Sequence, residues 1–216
     1  MEALLAFGAA LLALRLAGRL FGRWRARRAP ELAMWAASLL AYAAASAALA
    51  WGSAAGWNEA AFRVYYLFGG LLTAPLLGAG SLLLLGKRWV VPVMLVFAGL
   101  ATGVALAEPL TTHLSGMSIP EAQEHLDYFP ARILALAGNI AGTAAVVFVA
   151  VVSIRRRPLG MSLILAGVAV AAVGSALAGL GAAQTAAFSA IAVLFLYTGF
   201  TVSSTRSRAA LPVQAR

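Results

Sequence analysis

Seven long apolar stretches dominate this chain: residues 3–22, 32–52, 59–85, 89–107, 131–153, 159–181 and 184–204. A helix needs about 20 mostly apolar residues to cross a bilayer, and each stretch meets or approaches that length. The breaks between them are polar, charged or rich in Gly and Pro. Helices in lipid satisfy their own backbone groups, so the expected fold is all-α and polytopic. It is a single transmembrane domain, 1–216, with seven helices. Composition agrees: 62% of residues are hydrophobic and 11% charged, against roughly half and a quarter in ordinary soluble domains. With no cysteine, disulfides, thiolate metal sites and cysteine nucleophiles are excluded.

The formal charge of +9 would suggest nucleic acid in a soluble protein. Its distribution gives another reading. Arg19 stands in the last turn of the first stretch and Arg23, Arg25, Arg27 and Arg28 follow it, and Lys87 and Arg88 separate the third from the fourth. Arg155, Arg156 and Arg157 separate the fifth from the sixth, and Arg206, Arg208 and Arg216 follow the seventh. All fall on one side, whereas Glu2, Glu59, Glu108, Glu121, Glu124 and Asp127 fall on the other. The positive-inside bias then puts the N-terminus outside and the C-terminus in the cytoplasm of a plasma membrane. The partners expected are the bilayer and the anionic lipids of its inner leaflet, held by the arginine clusters, and not nucleic acid. Because Glu2 opens the first stretch and the basic residues follow it, this segment reads as a retained helix and not a cleaved signal. Trp51, Trp57, Tyr65, Tyr66, Tyr128 and Phe129 are expected at the outer interface, and Trp24, Trp35 and Trp89 at the inner one.

Small residues supply the packing seams that lipid-embedded helices need. Gly160, Gly167, Gly174 and Gly181 recur every seventh residue in the sixth stretch, a period that keeps one face on a neighbour. Gly70, Ala74 and Gly78 stand at i, i+4 and i+8 in the third, and Gly138 and Gly142 four apart in the fifth. Pro75, in the middle of the third stretch, predicts a kink. A pseudo-repeat is also expected. The Arg-Arg-Ala-Pro run ending at Pro30 and the Arg-Arg-Arg-Pro run ending at Pro158 stand at nearly the same offset as Ala60-Ala61-Phe62 and Ala186-Ala187-Phe188. The implied halves are 1–86 and 131–204, with a linker helix at 89–107 and an outer loop at 108–130.

This three-plus-one-plus-three plan resembles, in topology, sugar carriers of the SWEET type, related vitamin permeases and microbial rhodopsins. The Pro-Gln dipeptide of the sugar-carrier repeats is missing. The single lysine, Lys87, sits in a turn where it cannot form a retinal Schiff base. The run Phe62-Arg63-Val64-Tyr65-Tyr66-Leu67-Phe68-Gly69-Gly70 is similar to that of uncharacterised bacterial seven-helix membrane proteins, a resemblance that covers the second and third helices and implies no activity.

Ionisable residues within spans mark function by default. Arg15 belongs to a stripe with Arg19, Arg23 and Arg27 that runs toward the inner headgroups, where its stem can snorkel. Arg63 and Arg132 oppose the charge rule, each about one turn inside the outer end of its helix. Glu59 precedes Arg63 by four residues, the favourable order for a helical ion pair, and Glu108 could reach either arginine. With Tyr66, Thr73, Asn139 and Thr143 these residues are candidates for an outward-opening site for an anionic solute; the bland alternative pairs both arginines with outer glutamates at helix ends. In the outer loop, Ser118-Ile119-Pro120-Glu121 has a capping-box pattern, predicting a short helix over 119–128. Glu121 and His125 there share a helical face, but no metal motif accompanies them, so neither metal nor cofactor is expected. The hydroxyls within the spans lack a neighbouring base, so an enzyme is not expected. The leading expectation is a small carrier or channel for a small anionic solute; the alternative is a non-transporting sensor or partner-docking subunit that acts through helix contacts, alone or as an oligomer.

Overall fold

A computed structural model describes residues 2–110, 116, 119–120 and 125–155, and isolated positions between 159 and 199. Five helices are long and apolar enough to cross a membrane among the described residues: α1 (Glu2–Arg27), α2 (Pro30–Ala55), α3 (Glu59–Leu84), α4 (Val90–Ala107) and α5 (Tyr128–Ser153). They coincide with the first five apolar stretches. The sixth and seventh stretches lie largely outside the described residues, although Leu159, Gly160, Ser162, Gly167, Ile191 and Leu194 are helical. Gly174, Gly181 and residues 121–124 of the expected outer-loop helix, Glu121 among them, also lie outside them. The chain forms two compact units, Met1–Val146 and Val147–Arg216; the first holds α1 to α4 and most of α5.

Helix ends follow local chemistry. Arg28, in the left-handed region (φ 53), ends α1 with its N–H on the Trp24 carbonyl, and Pro30 opens α2 where its missing N–H costs nothing. Gly56 (φ 91) ends α2. Asn58 caps α3, its side-chain oxygen accepting from the Ala61 N–H at 2.9 Å. Gly86 (φ 79) ends α3 with a doubly bonded turn, in which the Gly86 N–H meets the Leu83 carbonyl and the Lys87 N–H the Leu82 carbonyl.

The first unit is sequential in its packing. α2 contacts α1 on one side and α3 on the other, and α4 packs on α3. The buried face of α1 is Ala6, Ala9, Ala10, Ala13, Leu16, Ala17 and Leu20, a stripe of small side chains that lets the α2 backbone come close. The opposite face carries Leu4, Phe7, Leu11 and Leu14, all more than half exposed and therefore facing lipid in a spanning helix. Val93, Leu95, Val96 and Leu100 make the same kind of face on α4.

Three of the aromatics expected at the interfaces are buried in the helix packing. Trp35 is 9% exposed and Trp57 5%. Each fills a slot opened by a glycine: a Cβ on Gly80 would strike the Trp35 indole, and one on Gly52 the Trp57 indole. Tyr66 is buried as well, stacked on Phe62 with centroids 6.1 Å apart. Trp51, Trp89, Tyr128 and Phe129 are exposed.

Candidate functional site

The third helix carries most of the polar chemistry because it is irregular. Between Glu59–Tyr65 and Thr73–Leu84, both α-helical, residues Tyr66–Leu72 form a wider π-helical turn. The Thr73 N–H reaches back five residues to the Phe68 carbonyl, and the Thr73 hydroxyl donates to the same oxygen at 2.6 Å. Pro75 has no N–H for the carbonyls one turn before it, so an acceptor is left without its usual donor at membrane depth. The Asn139 side-chain amide of α5 donates to the Gly70 carbonyl at 2.7 Å. Ser38 of α2 donates to the Thr73 carbonyl, also at 2.7 Å. The kink expected at Pro75 is thus spread over the preceding seven-residue turn and bound on both flanks by side chains of neighbouring helices.

Below this point α3 and α5 meet backbone to backbone. A Cβ on Gly78 would lie 2.6 Å from the Gly142 carbonyl oxygen, and one on Gly142 would overlap the Ala74 carbonyl. Gly138 receives the Phe97 ring of α4 and the Pro75 ring of α3. Of the residues expected to line a cavity, Thr73 and Asn139 therefore lie close together but bind backbone, whereas Thr143 is exposed. Replacing Asn139 with leucine leaves the Gly70 carbonyl without this donor. The expected loss is about 1–2 kcal/mol, read as a lower unfolding midpoint in a denaturing detergent, with an unchanged helical spectrum.

At the other end of α3, Arg63 is fully engaged. Its Nε donates to Glu59 Oε1 at 2.9 Å and an Nη stands 2.8 Å from the same oxygen. One Nη donates to the carbonyls of Ala105 and Leu106 and the other to that of Glu108, at 2.9 Å. These acceptors are the last carbonyls of α4, which lack intrahelical donors and form the negative end of its dipole. Arg63 is a cap for α4 supplied by a different helix. Glu108 meets Arg63 through its backbone and not through its carboxylate.

Arg132 is held differently, its guanidinium lying over the Tyr128 ring at 5.3 Å from the centroid. Tyr66 lies between the two arginines in sequence and within electrostatic reach of Glu108 and Arg132. Its hydroxyl is buried without a hydrogen-bond partner. His125 sets its ring edge-on against Phe62, with centroids 5.7 Å apart, and no group of three or more potential metal-ligating side chains occurs among the described residues. Glu108 is 7% exposed. Burial, and secondarily the charge of Asp127, hold its carboxyl above the ordinary carboxylate range.

That shift has a defined sign. A carboxyl whose pKa is raised by folding makes the folded state bind more protons, so stability is greatest below the unfolded pKa and falls as pH rises through the folded one. Glu108→Gln is expected to be more stable than the parent protein at pH 7. The difference should vanish under acid conditions, where both side chains are neutral. Paired thermal melts at the two pH values test this; equal midpoints at pH 7 would contradict the burial of an ionised Glu108.

The signals that sequence reasoning missed are backbone acceptors. Neither the α4 carbonyls under Arg63 nor the Gly70 carbonyl under Asn139 leaves a mark in a residue pattern. Ser38 was recognisable only as a hydroxyl within a span. No family model, curated protein or solved structure matches the chain.

Proposed function

We propose that this chain is a non-transporting, helix-packed membrane protein, a seven-helix subunit with its N-terminus outside and C-terminus in the cytoplasm, that acts on partners through its helix faces. The observation that carries this reading is the closed contact between α3 and α5. Gly78 and Gly142 touch through backbone, and the polar groups of Thr73 and Asn139 are spent on backbone carbonyls. A solute path between these helices would need those groups unbonded and that seam open. The Gly160–Gly181 seam of the sixth apolar stretch is the surface assigned to contact with a partner.

A carrier or channel for a small anionic solute is the second reading. The Tyr66 hydroxyl favours it, being buried and unpartnered close to Arg132. Liposome flux separates the two. Reconstituted protein should release encapsulated small anions and sugars no faster than protein-free vesicles. Release that is abolished by Arg132→Ala would reverse the order of the readings. For the leading one, Gly167→Leu with Gly174→Leu should break a complex seen by native mass spectrometry after gentle extraction; a protein that is monomeric with and without these changes would contradict it.

A further inference from the structure

The outward face of α1 combines features that a purely lipid-facing helix does not need. Arg15, Arg19 and Arg23 are all exposed on it. Gly18 and Gly22 stand on the same face, and a Cβ at either would meet nothing within 4 Å. The buried stripe of α1 packs against α2, on the side of the helix away from Arg15, Gly18 and Gly22. Arg15 is nine residues before Trp24, which at 1.5 Å per residue is about 14 Å along the axis. An extended arginine covers only part of that distance.

Helical side chains lean toward the N-terminus of their helix. For Arg15 that direction leads away from the headgroups at the basic end of α1 and deeper into hydrocarbon. To place its guanidinium near that interface, Arg15 must bend back along the helix, over the positions three and seven residues later. Those positions are Gly18 and Gly22. The missing side chains leave a shallow trough running from Arg15 toward the basic end of α1, with Arg19 and Arg23 along one side of it.

We propose that this trough binds the phosphate of an anionic phospholipid, drawn below the headgroup plane by Arg15 and held from one side by Arg23. The occupant is a lipid and not a second helix because the charge on this face is uniformly positive: α1 beyond Glu2 has no acidic residue, so two copies facing each other would oppose arginine to arginine. Guanidinium groups match phosphate oxygens in charge and geometry. The inference rests only on α1 spanning the bilayer, and it is independent of whether the protein transports anything.

Native mass spectrometry of the delipidated full chain, titrated with phosphatidylglycerol, phosphatidylcholine or inorganic phosphate, tests it. One phosphatidylglycerol should be retained at least tenfold more tightly than phosphatidylcholine, and inorganic phosphate should not displace it. Arg15→Gln and Gly18→Leu should each lower that retention about tenfold, the second by blocking the trough with every charge intact. Arg88→Gln, in the turn after α3, should leave it unchanged. Thermal melts confirm that the variants fold, since leucine at residue 18 meets open space. Equal retention of the two lipids, displacement by inorganic phosphate, full retention in Gly18→Leu, or a dimer lost in that variant would each overturn the proposal.

Discussion

Gly142→Leu is expected to abolish the native packing of the first unit, whereas Gly103→Leu on α4 should leave it intact. A side chain at residue 142 would be driven into the Ala74 carbonyl and the Pro75 nitrogen, and one at residue 103 meets nothing. Overpacking a core ordinarily costs about 1–3 kcal/mol because flexible side chains yield. Here the obstacle is the backbone of a neighbouring helix, itself fixed by Asn139 and Ser38, so the cost should reach or exceed the top of that range. Unfolding by a denaturing detergent, followed through tryptophan fluorescence, measures it. Gly103→Leu should be neutral or slightly stabilising, since glycine is the poorer helix former by up to about 1 kcal/mol. Comparable midpoints for the two variants would mean that the glycine seam between α3 and α5 is not formed.

Arg63→Met should be the next most damaging change. It removes a charged donor from Glu59 and from three terminal carbonyls of α4. Hydrogen bonds to a charged group contribute about 1.5–3 kcal/mol each when well shielded. With the Arg63 side chain 19% exposed, and water able to replace part of the set, a total loss of about 2–4 kcal/mol is expected. Arg63→Lys should recover less than half of it, because an ammonium cannot span a carboxylate and three carbonyls with a planar fork. Glu59→Gln should cost far less, as Glu59 is 64% exposed and exposed ion pairs add about 1 kcal/mol or less. If Arg63→Met matched Glu59→Gln, the arginine would be a surface ion-pair partner and not the cap of α4.

Helix existence was legible because hydrophobic length alone decides it in lipid. The first five apolar stretches are helices nearly to the residue, and α1 runs past its apolar stretch to Arg27 because arginines suit the C-terminal end of a helix dipole. Glu59–Arg63 followed from i, i+4 spacing, and small residues at 138 and 142 from the usual seam pattern.

What was not legible is which surfaces meet. Trp35 and Trp57 obey an interface rule until a glycine on another segment or one turn away opens a slot for them. The Asn139 amide and the Gly70 carbonyl are 69 positions apart, and only the fold brings them together. Pro75 announced a disturbance, but its form, a π-helical turn with its acceptors satisfied by neighbours, depends on α2 and α5 being adjacent. The candidate solute site was read from residue types alone, and the residue types do not tell an unbonded asparagine from one that repairs a broken helix.

Thiol accessibility tests the closed α3–α5 contact most directly, and the natural absence of cysteine makes single-cysteine variants clean. Leu71→Cys, at a position 0% exposed, and Ala135→Cys probe the two helices, and Asn58→Cys, at an exposed cap, serves as the reactive control. In reconstituted vesicles a charged, membrane-impermeant thiol reagent should modify the cysteine at 58 completely and those at 71 and 135 not at all. Modification at 71 or 135 at a rate approaching the control, slowed by a small anion, would contradict the account and establish a water-filled path where it requires a sealed seam.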